Sequence, residues 1–156
     1  MSAILADDEL LITRVFDAPV SLVFALWSDP EHMKRWMGPD EFGCPEAHID
    51  FRVGGAYRAM IRSKKHGESW FSGIYREIEP NKRLVFTFMW NDTGPSANIE
   101  TLVTITFVER DGKTIQIFHQ TPFRNVERRD SHVIGWSEVF DKQRVYAEKV
   151  AKEWIS

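Results

Sequence analysis

Cysteine is nearly absent. Cys44 stands alone in 156 residues, so no internal disulfide is available and the chain suits a reducing compartment. No apolar run approaches the ~20 residues of a membrane span, and the acidic opening Asp7-Asp8-Glu9 is unlike a secretory leader. Cytoplasm is the expected location. An excess of one charge is missing too: 20 Lys and Arg against 23 Asp and Glu leave −3, which argues against nucleic-acid or acidic-membrane partners. Repeats, low-complexity segments and linkers are lacking, which leaves one domain spanning residues 1–156.

The templates of common enzymes are missing as well. There is no G-x-S-x-G elbow, no H-E-x-x-H, no Gly-rich phosphate loop and no cysteine pair at metal spacing. His32, His48, His66, His119 and His132 fall in different segments, so no metal is expected, and nothing calls for a cofactor. Cys44, between Gly43 and Pro45, has no adjacent histidine to lower its pKa.

What the chain has in abundance is aromatic surface, 13% of residues with 6 Trp and 11 Phe. That content builds either a well-packed core or a pocket with aromatic walls. The organising stretch is the end of the chain, from about Asn125 to Trp154. Val133, Trp136, Phe140, Ala147, Val150 and Trp154 recur at steps of three, four or seven, which predicts one long helix burying one face. Gln143 is the single polar residue at a position where the period asks for an apolar one.

Upstream, Leu10 to Asp17 alternates as a strand with Leu10, Ile12 and Phe16 on one face. Pro19 and Pro30 each suit the start of a short helix, with Val20, Val23, Phe24 and Trp27 on one side of the first and Met33, Trp36 and Met37 on one side of the second. From Glu46 the period is two. Ile49, Phe51 and Val53 share a face before a Gly54-Gly55 turn, and Tyr57, Ala59 and Ile61 share the next. Trp70 to Ile78 is a strand of undecided phase, because Phe71 and Tyr75 compete with Trp70 and Ile74. Leu84, Phe86, Phe88 and Trp90 line one side of the most hydrophobic strand, and Asn91 to Asn98 reads as a loop at an open end of the sheet. Val103, Ile105 and Phe107 face inward before an Asp111-Gly112 hairpin turn, after which Ile115 and Ile117 carry His119 onto the apolar face. Strands and helices that do not alternate strictly predict an α+β fold with an antiparallel sheet.

Several of these stretches resemble one family in the order in which they occur. Arg14-Val15-Phe16-Asp17-Ala18-Pro19, Trp27-Ser28-Asp29-Pro30-Glu31 and Arg35-Trp36-Met37-Gly38-Pro39 are similar to the opening of Hsp90-ATPase-activator homologue domains, within the START-like (Bet v 1-like, polyketide-cyclase-like) superfamily. Asp50 to Gly55 resembles the family's D-x-R-x-G-G hairpin, Gly73 to Pro80 with Arg83 to Thr87 its next signature, and Gly135-Trp136 its G-W. The resemblance implies a helix-grip fold: a curved antiparallel sheet of about seven strands wrapped round the C-terminal helix, with two small helices closing one end. Because the superfamily hosts lipid carriers, cyclases, hydrolases and co-chaperone domains, it leaves function open.

The functional expectation is an apolar or aromatic small molecule held between the last helix and the sheet. Its walls are Trp36, Tyr57, Phe71, Phe88, Trp90, Ile105, Ile117, Trp136 and Phe140, and its polar points are His119 and Gln143. His119 doubles as the one candidate proton-transfer group, against the plainer reading of a core histidine bonded to Tyr57 or Thr121. Arg124, Arg128 and Arg129, mixed with Glu127 and Asp130, read as a solvated helix start or as a grip on an acidic head group. A chaperone contact is the second functional reading and an enzyme the third; a homodimer is compatible with the sequence.

Overall fold

Period-two alternation builds seven strands, and the prolines start the helices that interrupt them. A computed structural model describes residues 6–91 and 97–155. The elements in chain order are β1 (Leu10–Phe16), α1 (Val20–Ser28), α2 (Pro30–Trp36), β2 (Gly43–Ile49), β3 (Ala56–Ser63), β4 (Gly67–Glu79), β5 (Arg83–Trp90), β6 (Thr101–Arg110), β7 (Lys113–Thr121) and α3 (Val126–Ile155). The strands form one antiparallel sheet in the order β1-β7-β6-β5-β4-β3-β2, curled into a half-barrel around α3. This is the α+β, helix-grip arrangement.

Local chemistry sets the element ends. Pro30 opens α2, where the Asp29 carboxylate accepts from Glu31 N–H at 2.9 Å. Asn125 does the same for α3, its side-chain oxygen accepting from Arg128 N–H at 2.9 Å. Asp111 and Gly112 take φ of 54° and 78°, the left-handed pair of a two-residue hairpin, so Arg110 sits opposite Lys113. β2 ends at Ile49, earlier than its alternation predicts. The next residues form a turn in which Gly54 N–H donates to Tyr75 O, and Val53 is 60% exposed. The Asn91–Asn98 loop falls partly on residues 92–96, outside the described residues; Ala97 pairs with Trp90.

The undecided strand settles with Phe71 and Tyr75 inward, while Trp70 faces out beneath the Arg58 guanidinium, 4.2 Å from its ring centre. A bulge between Tyr75 and Glu77 then shifts the phase. No single alternation fits that strand because two phases are present.

β7 is turned the other way from the expected phase. Thr114, Gln116, Phe118 and Gln120 are buried, whereas Ile115, Ile117 and His119 are half-buried on the outer face. Register explains it: inward Val103, Ile105 and Phe107 of β6 lie opposite Gln120, Phe118 and Gln116. The buried amides are affordable because they are bonded. Trp27 Nε1 donates to Gln116 Oε1 at 2.9 Å, Trp136 Nε1 donates to Gln120 Oε1 at 2.8 Å, and Gln120 Nε2 donates to Thr101 Oγ1 at 2.9 Å.

α3 buries Trp136, Val139, Phe140, Gln143, Ala147 and Ala151. Its apolar stripe ends there: Trp154 is 54% exposed. Beneath the middle of the helix the interior is filled. Trp27, Phe118, Trp136 and Phe140 contact one another ring to ring, with Phe118 and Trp136 centres 4.7 Å apart. The void that remains near Trp27, Tyr57 and Phe86 is about 10 Å³, at most a single water.

Candidate functional site

Open space lies towards the N-terminal half of α3 rather than under its centre. A cavity of about 230 Å³ is bounded by Met37, Gly38 and Pro39 after α2, by Ile61, Phe71, Phe88 and Trp90 from the sheet, and by Ser131, His132, Gly135, Trp136 and Val139 of α3. The helix residues share a face because they recur at three, four and seven. The strand residues share one because Phe88 and Trp90 are two apart on β5, and Phe71 pairs with Trp90 across to β4.

The aromatic wall is one packed set. Phe71 stacks on Phe88 with centres 5.0 Å apart, while Phe88 meets Trp90 at 5.4 Å and Trp136 at 5.7 Å edge to face. Its N–H groups are already engaged. Trp136 donates to Gln120, and Trp90 Nε1 donates to His132 Nε2 at 3.0 Å. His132 Nδ1 lies 2.7 Å from Arg128 O, which can only accept, so the ring is neutral with its proton on Nδ1. The walls therefore present apolar ring faces.

Burial pushes the His132 imidazole below its ordinary value of 6.5. A depressed folded value means that the unfolded chain takes up the proton first as pH falls. Stability from this site is therefore full above about pH 6.5 and is lost progressively as pH drops below it through the folded value. Urea unfolding across pH 5 to 8 should show that decline (the range over which an imidazole changes charge), and His132→Gln should flatten it. An unchanged slope in the variant would assign the decline elsewhere.

One wall is clamped to α3. Lys142 Nζ donates to Gly38 O at 2.9 Å and Phe42 O at 3.0 Å, and Asp40 N–H donates to Glu138 Oε1 at 3.0 Å. Burial lowers the Lys142 ammonium from its ordinary value. Two charged helix residues thus hold the segment that carries Gly38 and Pro39.

Of the residues expected at the site, the fold brings Phe71, Phe88, Trp90 and Trp136 to the cavity. Trp36, Tyr57, Ile105, Phe140 and Gln143 are buried elsewhere in the core. The Tyr57 hydroxyl donates to Thr87 O at 2.7 Å, and burial raises its pKa well above the usual phenol range. Gln143 is inward and fully buried; its Oε1 accepts from Gln116 Nε2 at 3.0 Å. Ile117 and His119 are corrected outright: the β7 phase puts both on the sheet's outer side, away from the cavity. His119 Nε2 there lies 3.6 Å from a Glu9 carboxylate oxygen, and the Thr121 hydroxyl donates to Asp8 O instead. Burial pushes the Cys44 thiol up to about 11, which keeps it protonated at neutral pH.

His132, Gly135, Val139 and Ile61 also line it, beside Met37, Gly38, Pro39 and Ser131, and were not singled out for it by sequence. For His132, Gly135 and Val139 the available signal was their spacing from Trp136, at four, one and three residues on the same helix, which marks a face but not a void. A wider concavity, about 630 Å³, lies between β2 and β5 and includes outward-facing His48, Arg58, Ser72 and Met89. It has no aromatic wall comparable to the smaller one. Among the described residues no group of three His, Cys, Asp or Glu is placed to hold a metal, and no helix is long and apolar enough to cross a membrane.

The fold recurs in solved structures. A protein of Chromobacterium violaceum superposes with a TM-score of 0.78 at 23% identity, over 90% of this chain and 98% of that one. One from Nitrosomonas europaea gives 0.78 at 19%, over 94% and 97%. The AHSA1 protein of Silicibacter pomeroyi gives 0.76 at 22%, over 93% and 99%. At these identities the likeness is one of fold. No curated protein sequence matches. The family model of the activator of Hsp90 ATPase homolog 1-like proteins matches residues 17–148, most of the length, and the chain belongs to that family.

Proposed function

We propose that the protein binds a small apolar or aromatic molecule in the cavity between the N-terminal half of α3 and strands β3 to β5. The observation that carries this reading is the cavity itself, about 230 Å³ walled by Phe71, Phe88, Trp90 and Trp136, whose indole N–H groups are engaged elsewhere. An apolar cavity of about 150 Å³ takes up benzene, whereas drug-sized ligands occupy roughly 300–1,000 Å³. The space therefore suits a body of one or two rings, or a short acyl chain.

Gly135 supports the reading. A Cβ built there would meet nothing within 4 Å, so no steric demand requires glycine. Glycine inside a helix costs about 1 kcal/mol relative to alanine. The residue keeps space open at a cost in stability, which fits selection for a vacancy beside Trp136.

Gly135→Ala is expected to stabilise the protein by about 0.5–1 kcal/mol. Gly135→Leu is expected to fill the cavity, leave the protein folded and weaken binding of 2-naphthol at least about tenfold, the loss of roughly 1.4 kcal/mol of contact. Titration calorimetry and the ligand-induced rise in melting temperature measure both effects. Failure of the wild-type protein to take up 2-naphthol, indole or octanol would remove the reading.

A further inference from the structure

We infer that the ligand carries an anionic head, a carboxylate or its equivalent, received by Arg128 and Arg124 at the end of the cavity nearest the start of α3. This rests on the binding reading above and adds the class of the ligand.

The aromatic walls of the chamber offer no free N–H to fix a polar head group, and the one hydroxyl among its lining side chains is that of Ser131. Trp90, Trp136 and His132 all have their N–H groups bonded within the protein. A narrow cleft of about 10 Å³ adjoins it, sharing Phe88, Trp90 and His132 and lined also by Arg124 and Arg128. Arg128 is placed there by helix geometry: it lies one turn before His132 and continues the face that His132, Gly135 and Val139 present.

The charges around the cleft separate into used and unused. The Arg129 guanidinium is held by Asp130 at 2.8 Å. Among the described residues neither Arg124 nor Arg128 makes an ion pair, although Arg128 is half-buried. The neighbouring acid on α3, Glu127, is exposed and pairs with neither. The first turn of α3 adds the positive end of a 30-residue helix. An apolar chamber beside a cleft lined by two arginines that form no ion pair among the described residues matches an amphipathic anion. The planar fork of arginine suits a carboxylate in particular.

The test is a matched pair of probes, 2-naphthoate and 2-naphthamide, which differ in charge and hardly in shape. By titration calorimetry at low salt, naphthoate is expected to bind about tenfold more tightly than the amide, as charge-assisted bonds are roughly twice as strong as neutral ones. Added salt should narrow that gap. Arg128→Gln, alone and with Arg124→Gln, should bring naphthoate down to the amide's affinity and leave the amide unaffected. Equal binding of the two probes overturns the anion inference while the cavity reading stands. A preference that survives the double variant places the anion elsewhere and also overturns it. If neither probe binds, both readings fall.

Discussion

Gly73→Ala is expected to cost about 3–5 kcal/mol, at the damaging end of single substitutions. A Cβ at this position would sit 1.8 Å from Thr87 O, 2.6 Å from Thr87 C and 2.8 Å from Tyr57 Cε1. The first two are backbone atoms of β5, and they are not free to retreat. Thr87 O accepts the Tyr57 hydroxyl at 2.7 Å, and Thr87 Oγ1 accepts Ile74 N–H at 2.8 Å. Relief therefore requires β4 to leave β5, where the sheet bends towards its bulge. For a chain of this size 1 kcal/mol corresponds to roughly 2–4 °C, so the melting temperature should fall by about 6–20 °C. Urea unfolding of Gly73→Ala beside Gly135→Ala checks it, since the same chemical change should act with opposite sign. A midpoint for Gly73→Ala equal to wild type would mean that the two strands do not approach so closely.

Much of this architecture is written in periodicity. The stripe in α3, the proline-started helices and the inward faces of β3, β5 and β6 all follow from steps of three, four or two. Gly73 could also be flagged, because glycine inside a strand often marks close approach of another backbone. What sequence does not reveal is which backbone, since Thr87 comes near only through pairing across a turn. The β7 phase is a different case, for its information was present. Arg110 opposite Lys113 across the Asp111-Gly112 turn forces every odd-numbered residue of β6 opposite an even-numbered one of β7. Once Val103, Ile105 and Phe107 are inward, Gln116, Phe118 and Gln120 must be as well. Local hydrophobicity of Ile115 and Ile117 points the other way and loses, because register binds the whole strand while each half-buried isoleucine costs little. The cavity lay furthest from the sequence. Aromatic residues at the right period line both the solid core around Trp27 and Phe140 and the open space beside Trp136, and only three-dimensional spacing separates them.

The buried amides permit a sharper test of how the core is wired. Trp27 N–H can only donate, so Gln116 must present Oε1 to it and Nε2 to Gln143, and Gln143 must answer with Oε1. The line of amides ends on a buried donor, Gln143 Nε2, with no partner among the described residues. Gln116→Leu strands Trp27 Nε1 and Gln143 Oε1 together, and two new orphans at about 1–3 kcal/mol each predict a loss of about 2–6 kcal/mol. Gln143→Leu strands only Gln116 Nε2 and removes an orphan already present, so its cost should stay within about 1 kcal/mol. The double variant leaves Trp27 Nε1 alone unpaired and should be more stable than Gln116→Leu itself, a coupling of about 2–6 kcal/mol. Urea denaturation of the three proteins measures the cycle. Additive losses would mean that the two amides do not form one chain. A Gln143→Leu cost equal to that of Gln116→Leu would mean that the last N–H has an acceptor after all, and that the polar line continues beyond Gln143.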